Sequence, residues 1–236
     1  MTVDPDVRLA RYERNGRTIT VQEQKILAGK RICVVGCGGL GGYVIEMLAR
    51  AGVGSLTVMD GDAFDASNLN RQLLADPEVI GQNKALVAAR RVRRVNDTIQ
   101  VQAESCFLTA DNGLALLRGH DGVVDALDSI EARLMLEDLC EPLGIPLVHG
   151  AIAGWFGQVT TIFPGDQTLH RIYPPNQQRG IEQQLGNPSF TPALVASLQC
   201  AELIKLLLGK GELLRRKVLL VDALANDFQV LDLARS

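Results

Sequence analysis

One stretch, Arg31 to Gln72, constrains the chain most, because it spells a strand, a glycine loop, a helix and a second strand in unbroken succession. Arg31–Val35 (RICVV) is a short apolar, β-branched run. Gly36, Gly38 and Gly41 follow it in the spacing G-x-G-x-x-G, with Gly39 between them. A helical pattern begins at Gly41, and Leu56–Met59 reads as the next strand, ending at Asp60. Glycine is required where a backbone turns tightly and approaches a ligand closely. Phosphates can then rest on free backbone N–H groups at the helix N-terminus. A carboxylate about 20 residues further on is placed to accept from ribose hydroxyls, and Asp60 holds that place. Taken alone, the loop fits either a nucleotide site or a tight turn that serves only the fold.

The residues that follow narrow the choice. An acidic loop carries Asp60, Asp62 and Asp65. Asn68-Leu69-Asn70-Arg71-Gln72 comes next, Lys84 reads as a helical turn or so into the next helix, and Asp128 ends a later strand. A dinucleotide dehydrogenase has no evident need for two cations beside its pyrophosphate. A site that breaks a triphosphate does, because charge must be neutralised as the bond is cut.

With 236 residues, 47% hydrophobic and 22% charged, the chain is long enough for one large α/β domain. A net charge of −3 and a pI near 5.7 argue against a nucleic-acid surface. No apolar run is read as reaching the roughly 20 residues that span a bilayer. The N-terminal MTVDPDVRLARYERN lacks the apolar core of a signal peptide. A cytoplasmic protein with no membrane partner is expected. Cys33, Cys37, Cys106, Cys140 and Cys200 form no C-x-x-C pair and read as small buried hydrophobes.

Taken in order, Asp6–Arg14 and Val21–Gly29 read as helices, with Arg11 and Arg14 on one face of the first. Gly42–Ala51 supplies the helix after the glycine loop. Asn83–Val95 supplies another, with an outward run of Arg90, Arg91, Arg93 and Arg94. Ile99–Ala103 reads as a strand, Ala110–Arg118 as a helix and Gly122–Ala126 as a strand. A helix over Ile130–Glu141 is expected to stop at Pro142. Pro146–His149 is a fifth strand. This alternation predicts a parallel sheet covered on both faces. Beyond it, Gly157–Phe163 is strand-like, and Pro164–Pro192 shows neither helical nor strand period and reads as a functional or mobile loop. Ala193–Leu208 is a strongly apolar helix, and Val218–Asp222 with Phe228–Leu233 forms an antiparallel hairpin. The expected fold is α/β: a Rossmann-like mixed sheet with helices on both faces, a parallel nucleotide-binding half, then antiparallel strands. It reads as one domain over 1–236, with a helical arm (1–30), an ATP-binding half (31–150) and a second half (151–236) carrying the 164–192 loop.

With these residues in hand, the chain resembles the E1-like adenylating enzymes, and within them the bacterial MoeB/ThiF/HesA group that activates ubiquitin-like sulfur carrier proteins. The resemblance runs over nearly the whole chain. It rests on R-Y-x-R at Arg11–Arg14, G-x-G-G-x-G at Gly36–Gly41, N-x-N-R-Q at Asn68–Gln72, Lys84, D-x-x-D at Asp125–Asp128, and Ser197-Leu198-Gln199 with Glu202 and Ile204-Lys205. It implies ATP-dependent adenylation of a carrier's C-terminal glycine carboxylate. Asp60 would hold the ribose and the glycine loop would pack on the nucleotide. Arg71 and Lys84 would contact the phosphates with Asn68 beside them, and Asp128 would ligate Mg²⁺. Arg14 would reach the partner subunit's ATP, which implies a homodimer with two sites.

The chain also departs from the family pattern. Many members hold zinc with two C-x-x-C pairs. The first place here reads His170-Arg171-Ile172-Tyr173, and no second pair precedes Ser236, so no zinc is expected. The loop cysteine of some members would fall near Glu182, and no cysteine lies between Cys140 and Cys200. The acyl-adenylate is therefore expected to pass to a separate sulfur donor. The D-N common at the metal site reads Asp128-Ser129, which leaves the ligand but alters its neighbour. His149 reads as a structural histidine. Three other readings stay open: a non-catalytic E1-like subunit, a nicotinamide-dependent oxidoreductase, and an E1-like enzyme acting on a peptide or a tRNA base.

Overall fold

The computed structural model describes residues 10–173 and 185–233. The first part of the Asp6–Arg14 helix, the position near Glu182 and the last three residues lie outside them. The described residues form one eight-stranded sheet in the order β3-β2-β1-β4-β5-β6-β7-β8. Its strands are β1 (Arg31–Val35), β2 (Ser55–Met59), β3 (Gln100–Glu104), β4 (Gly122–Asp125), β5 (Leu147–Ala153), β6 (Phe156–Ile162), β7 (Lys217–Asp222) and β8 (Asp227–Asp232). The pairs among β1 to β5 are parallel, and those from β5 through β8 are antiparallel. The chain thus has the mixed Rossmann-like sheet that its alternating pattern predicts.

Strand alternation builds two cores. On one face Ile32 and Val34 of β1 join Leu56 and Val58 of β2 beneath α1 (Val21–Ala28), α2 (Gly39–Ala51), α3 (Lys84–Val95) and the later helix α7 (Phe190–Leu208). On the other, Cys33 and Val35 meet α4 (Ala110–Leu117), α5 (Ile130–Leu143) and the short α6 (Thr168–Ile172). Successive side chains point to opposite faces, so the four buried residues of β1, Ile32 to Val35, serve both layers. A strand buried on both faces therefore reads as a continuous apolar run.

The direction of travel then places a crevice. From β1 the chain steps outward to β2 and β3, then returns to β4 on the opposite side of β1. Ligands of open α/β sheets bind at such a reversal, outside the carboxyl ends of the strands. Here Val35, Met59 and Asp125 are those ends.

Several boundaries differ from the sequence reading. The helix after the glycine loop begins at Gly39 rather than Gly41 or Gly42. Helix α5 runs through Pro142 to Leu143 and stops at Gly144, whose positive φ of 70° lets its N–H reach back to Glu141 and Cys140. A proline in the last turn forfeits one helical hydrogen bond, and the glycine two residues later supplies the true stop. Strand β5 extends to Ala153 because β6 pairs with it along its whole length. Within the 164–192 stretch, Thr168–Ile172 is helical.

Helix α7 corrects the expectation that no run is long and apolar enough to cross a membrane. Its 19 residues are, by length and composition. It packs instead against α2, β4, β5 and β6, and it carries buried Gln199 and Glu202. The Glu202 carboxylate accepts from Thr161 Oγ1 at 2.7 Å and from the Leu214 N–H at 2.9 Å, and it pairs with Lys205.

Candidate nucleotide-binding site

A cavity of about 320 Å³ opens at the strand reversal. Its walls bring together Gly36, Gly38 and Gly39, Asp60 and Asp62, Arg71 and Gln72, Lys84, and Asp128 with Ser129. These groups come from five separated segments, and the sheet is what gathers them.

The glycine loop is shaped by close backbone approach. Gly36 has φ +97°, and a Cβ there would lie 2.5 Å from the Ala126 carbonyl oxygen. A Cβ on Gly41 would lie 1.8 Å from the carbonyl oxygen of Gly36. The loop therefore folds onto itself, and Gly41, which does not line the cavity, acts through that fold. At Gly38 a Cβ would meet only the Gln72 amide, at 3.6 Å.

Asp60 faces the loop. One carboxylate oxygen accepts from the Cys37 N–H at 2.8 Å and the other from the Asp62 N–H at 2.9 Å. Burial raises the Asp60 carboxyl above the ordinary aspartate range, against the lowering pull of those N–H groups and of Lys84. Lys84 opens α3, capped by Asn83, whose Oδ1 accepts from Ala85 and Leu86. The Lys84 stem is buried, and its ammonium lies 3.3 Å from Asp62. The other side of that pair is half open to solvent, with Asp62 54% exposed.

Arg71 is aimed by its neighbours. Nη1 donates to the Ser67 carbonyl at 2.9 Å and to Asn70 Oδ1 at 2.8 Å. Asn68 is buried and does not line the cavity. Its side chain closes a capping box with Asp65, and its carbonyl accepts from the N–H groups of Arg71 and Gln72. Asn68 thus holds the turn that presents Arg71 and Gln72. The Gln72 Oε1 is buried with no hydrogen-bond partner. An orphaned acceptor in a cavity wall is what a ligand hydroxyl or amine would satisfy.

The Asp128 loop is clamped from beneath. Asp125 and His149 are wholly buried, and His149 Nδ1 lies 2.6 Å from Asp125 Oδ2. Asp125 Oδ1 accepts from the Leu127 N–H at 2.9 Å. Arg133 Nε and Nη2 both donate to the Leu127 carbonyl, at 3.2 and 2.8 Å. Leu127, immediately before Asp128, therefore has both backbone groups fixed. Asp128 is exposed at the cavity wall, while Ser129 Oγ accepts from Ala132 N and caps α5. The residue that alters the D-N pattern has become a helix cap.

Not every expected residue is in this cavity. Arg14 is exposed in a 3₁₀ turn (Glu13–Asn15) and does not line it. Others line it without having been anticipated: Cys106, Phe107, Ile152, Asn187 and Arg133. Arg133 left a signal, since it sits in register with Ile130, Glu137 and Cys140 on the buried face of α5. A cation at a core position of a helix is an anomaly that asks for a partner. No group of three or more metal-ligating side chains occurs among the described residues.

A family model described as the ThiF family matches residues 12–236. The chain belongs to the ThiF family. It is 36% identical over 235 residues to the SAMP-activating enzyme E1 of Haloferax volcanii, which covers 97% of this chain and 87% of that protein. It is 38% identical over 224 residues to the sulfur carrier protein adenylyltransferase of Thermus thermophilus, covering 90% and 82% respectively. Among solved structures, the tRNA N6-threonylcarbamoyladenosine dehydratase of E. coli in complex with ATP has the same fold. It aligns with a TM-score of 0.75 at 24% identity, over 88% of this chain and 98% of that one.

Proposed function

We propose that this chain adenylates the C-terminal glycine carboxylate of a small ubiquitin-like sulfur carrier protein, using ATP and releasing pyrophosphate. The observation that carries the reading is one cavity in which a glycine loop, a ribose-type carboxylate, two cations and a solvent-facing carboxylate converge. A carboxylate oxygen of the carrier attacks the α-phosphorus. The bond from that phosphorus to the oxygen bridging to the β-phosphate breaks, and pyrophosphate leaves with the electron pair. No base is needed, because a carboxylate is already ionised near pH 7. The site has to align the two reactants and neutralise charge on the phosphates.

Each residue has a part in that work. Asp60 accepts from the ribose hydroxyls, and Gln72 Oε1 takes a further donor from the nucleotide. Gly36, Gly38 and Gly39 let the loop approach the phosphates. Arg71 and Lys84 bind them, and Lys84 exchanges its exposed Asp62 partner for phosphate oxygen. Asn68 holds the turn that aims Arg71. Mg²⁺ is bound through one or two carboxylates plus substrate phosphates and water rather than by an all-protein cage, and the lone Asp128 carboxylate fits that requirement. Held there, the ion would supply positive charge to offset that of the phosphates.

The finer assignments belong to the same proposal. Arg14, which does not line its own cavity, serves the ATP of a partner subunit in a homodimer. The chain works without zinc and without a loop cysteine. Its acyl-adenylate is discharged in the cytoplasm to a separate sulfur donor, in a route of the thiamine or molybdopterin type. The direct test is the intact mass of a Gly-Gly-ending carrier of the same organism after incubation with the protein and ATP·Mg²⁺. The carrier should gain one AMP, and a carrier lacking its last glycine should gain none. An unmodified carrier, or equal labelling of both forms, would contradict the proposal.

A further inference from the structure

We infer that Arg133 binds the reacting carboxylate of the acyl acceptor, at the wall where the nucleotide cavity meets a second one. The inference rests on the adenylation reading and names a carboxylate-binding residue within it. The second cavity, about 410 Å³, lies over β5 to β8, with Phe156, Gln158, Tyr173, Leu220 and Gln229 among its walls. Arg133 and Ile152 line both cavities. An acceptor that enters through the second space and attacks a phosphate in the first must pass this wall.

The chemistry at the wall selects an anion. Arg133 is only 4% exposed. Its partners are neutral: the Leu127 carbonyl takes Nε and Nη2, and the Tyr173 hydroxyl takes Nη1 at 3.3 Å. None of the ion pairs among the described residues includes it. The nearby carboxylate, Asp125, is already engaged by His149 and the Leu127 N–H. A guanidinium has five N–H donors, and the three contacts leave one on each Nη. Free N–H groups on two nitrogens can serve the two oxygens of a carboxylate. A buried cation without a counter-charge is costly, and an arriving carboxylate removes that cost. Arg133 is also the one cation among the described lining residues of the second cavity. Asp222 and Asp227, paired across the β7–β8 hairpin, line it too. Their charges repel an anion, which leaves Arg133 as the attractive wall.

This role of Arg133 is separable from nucleotide binding. The Leu127 carbonyl needs a donor, so truncating Arg133 risks the loop. Arg133→Lys keeps a cation and a donor but loses the planar fork, and Arg133→Gln keeps donors without charge. The test is calorimetric titration of the full chain and both variants. The titrants are ATP·Mg²⁺ and, separately, a Gly-Gly-ending carrier of the same organism in free-acid and C-terminally amidated forms. The wild-type chain should prefer the free acid by roughly tenfold or more, the scale of one charge-assisted pair. Both variants should bind ATP·Mg²⁺ within about threefold of wild type while the preference falls to roughly twofold or less in Arg133→Gln, and in between in Arg133→Lys. An undiminished preference in both variants would overturn the assignment of Arg133 and leave the adenylation reading standing. A wild-type chain that binds neither form of any such carrier would overturn both.

Discussion

His149 and Asp125 meet at 2.6 Å with neither side chain exposed, on adjacent parallel strands and directly beneath the loop that carries Asp128. The pair is more than a core contact, because the other Asp125 oxygen holds the Leu127 N–H. Burial pushes the His149 imidazole below its ordinary value, and Asp125 pulls against that. A histidine kept neutral when folded but free to protonate when unfolded costs stability as pH falls below the unfolded value near 6.5. Urea unfolding should therefore show lower stability at pH 5.5 than at pH 7.5. His149→Asn, which retains a donor for Asp125, should flatten that part of the dependence. An unchanged pH slope in the variant would remove His149 as its source.

Asp166 gives the opposite pH signature. It is buried and accepts from Arg215 Nε at 2.8 Å, Arg216 Nε at 2.9 Å and the Phe163 N–H at 3.1 Å. Burial works to raise its carboxyl, and these partners overcome burial and hold it below the ordinary value of 3.8. Its contribution is present in full above about pH 4 and is lost as pH falls through the lowered value. Asp166→Asn should cost about 1–3 kcal/mol at pH 7, on the scale of hydrogen bonds to charged groups, and less at an acid pH where the carboxyl is protonated. A uniform loss at both pH values would contradict this.

Two glycines of the G-x-G-x-x-G segment should behave differently. A Cβ on Gly41 would meet the Gly36 backbone at 1.8 Å, where no flexible side chain can yield. Gly41→Ala should destabilise the fold by about 2–4 kcal/mol, the range of severe overpacking. Gly38→Ala meets only the Gln72 amide at 3.6 Å. It should melt near the wild-type temperature, with any loss confined to ATP affinity. Thermal melts of the two variants side by side decide it, and equal destabilisation would show that the loop is not folded as described.

The Lys84–Asp62 pair should prove dispensable on one side only. Lys84 is buried along its stem and reaches the cavity, whereas Asp62 is more than half exposed. Exposed ion pairs contribute little to stability. Asp62→Asn should leave ATP affinity within about threefold, while Lys84→Ala should lower it by roughly 10–100-fold, the scale of a charge-assisted contact to phosphate. Calorimetry with ATP·Mg²⁺, and with NAD⁺ as the competing ligand, measures both. Tight NAD⁺ binding without ATP binding would point to a nicotinamide site instead.

Much of this architecture was legible in the residues, and the failures have physical causes. Val35 and Met59 end apolar runs flanked by Gly36 and Asp60, so the parallel half could be read from local pattern, whereas β4 stops at Asp125, short of the Ala126 end that the pattern gives. The α5 stop could not, because a proline in a final turn costs only one hydrogen bond and Gly144 carries the decisive backbone conformation. Asn68 was readable as part of a motif but not as a cap, since its role depends on a turn closed by Asp65. Arg133 and the His149–Asp125 pair depend on contacts between α5, β4 and β5. Sequence spacing flags such residues only as polar groups on buried faces.

Carrier-dependent exchange of labelled pyrophosphate into ATP measures the central claim most directly, because it reports reversible formation of the acyl-adenylate. The wild-type chain with a Gly-Gly-ending carrier of the same organism should exchange label only when the carrier is present. Asp128→Ala and Lys84→Ala should each reduce that rate by about 100-fold or more, as expected when a group that neutralises transferring phosphate is removed. Exchange that proceeds without a carrier, or that survives both substitutions at the wild-type rate, would contradict the account.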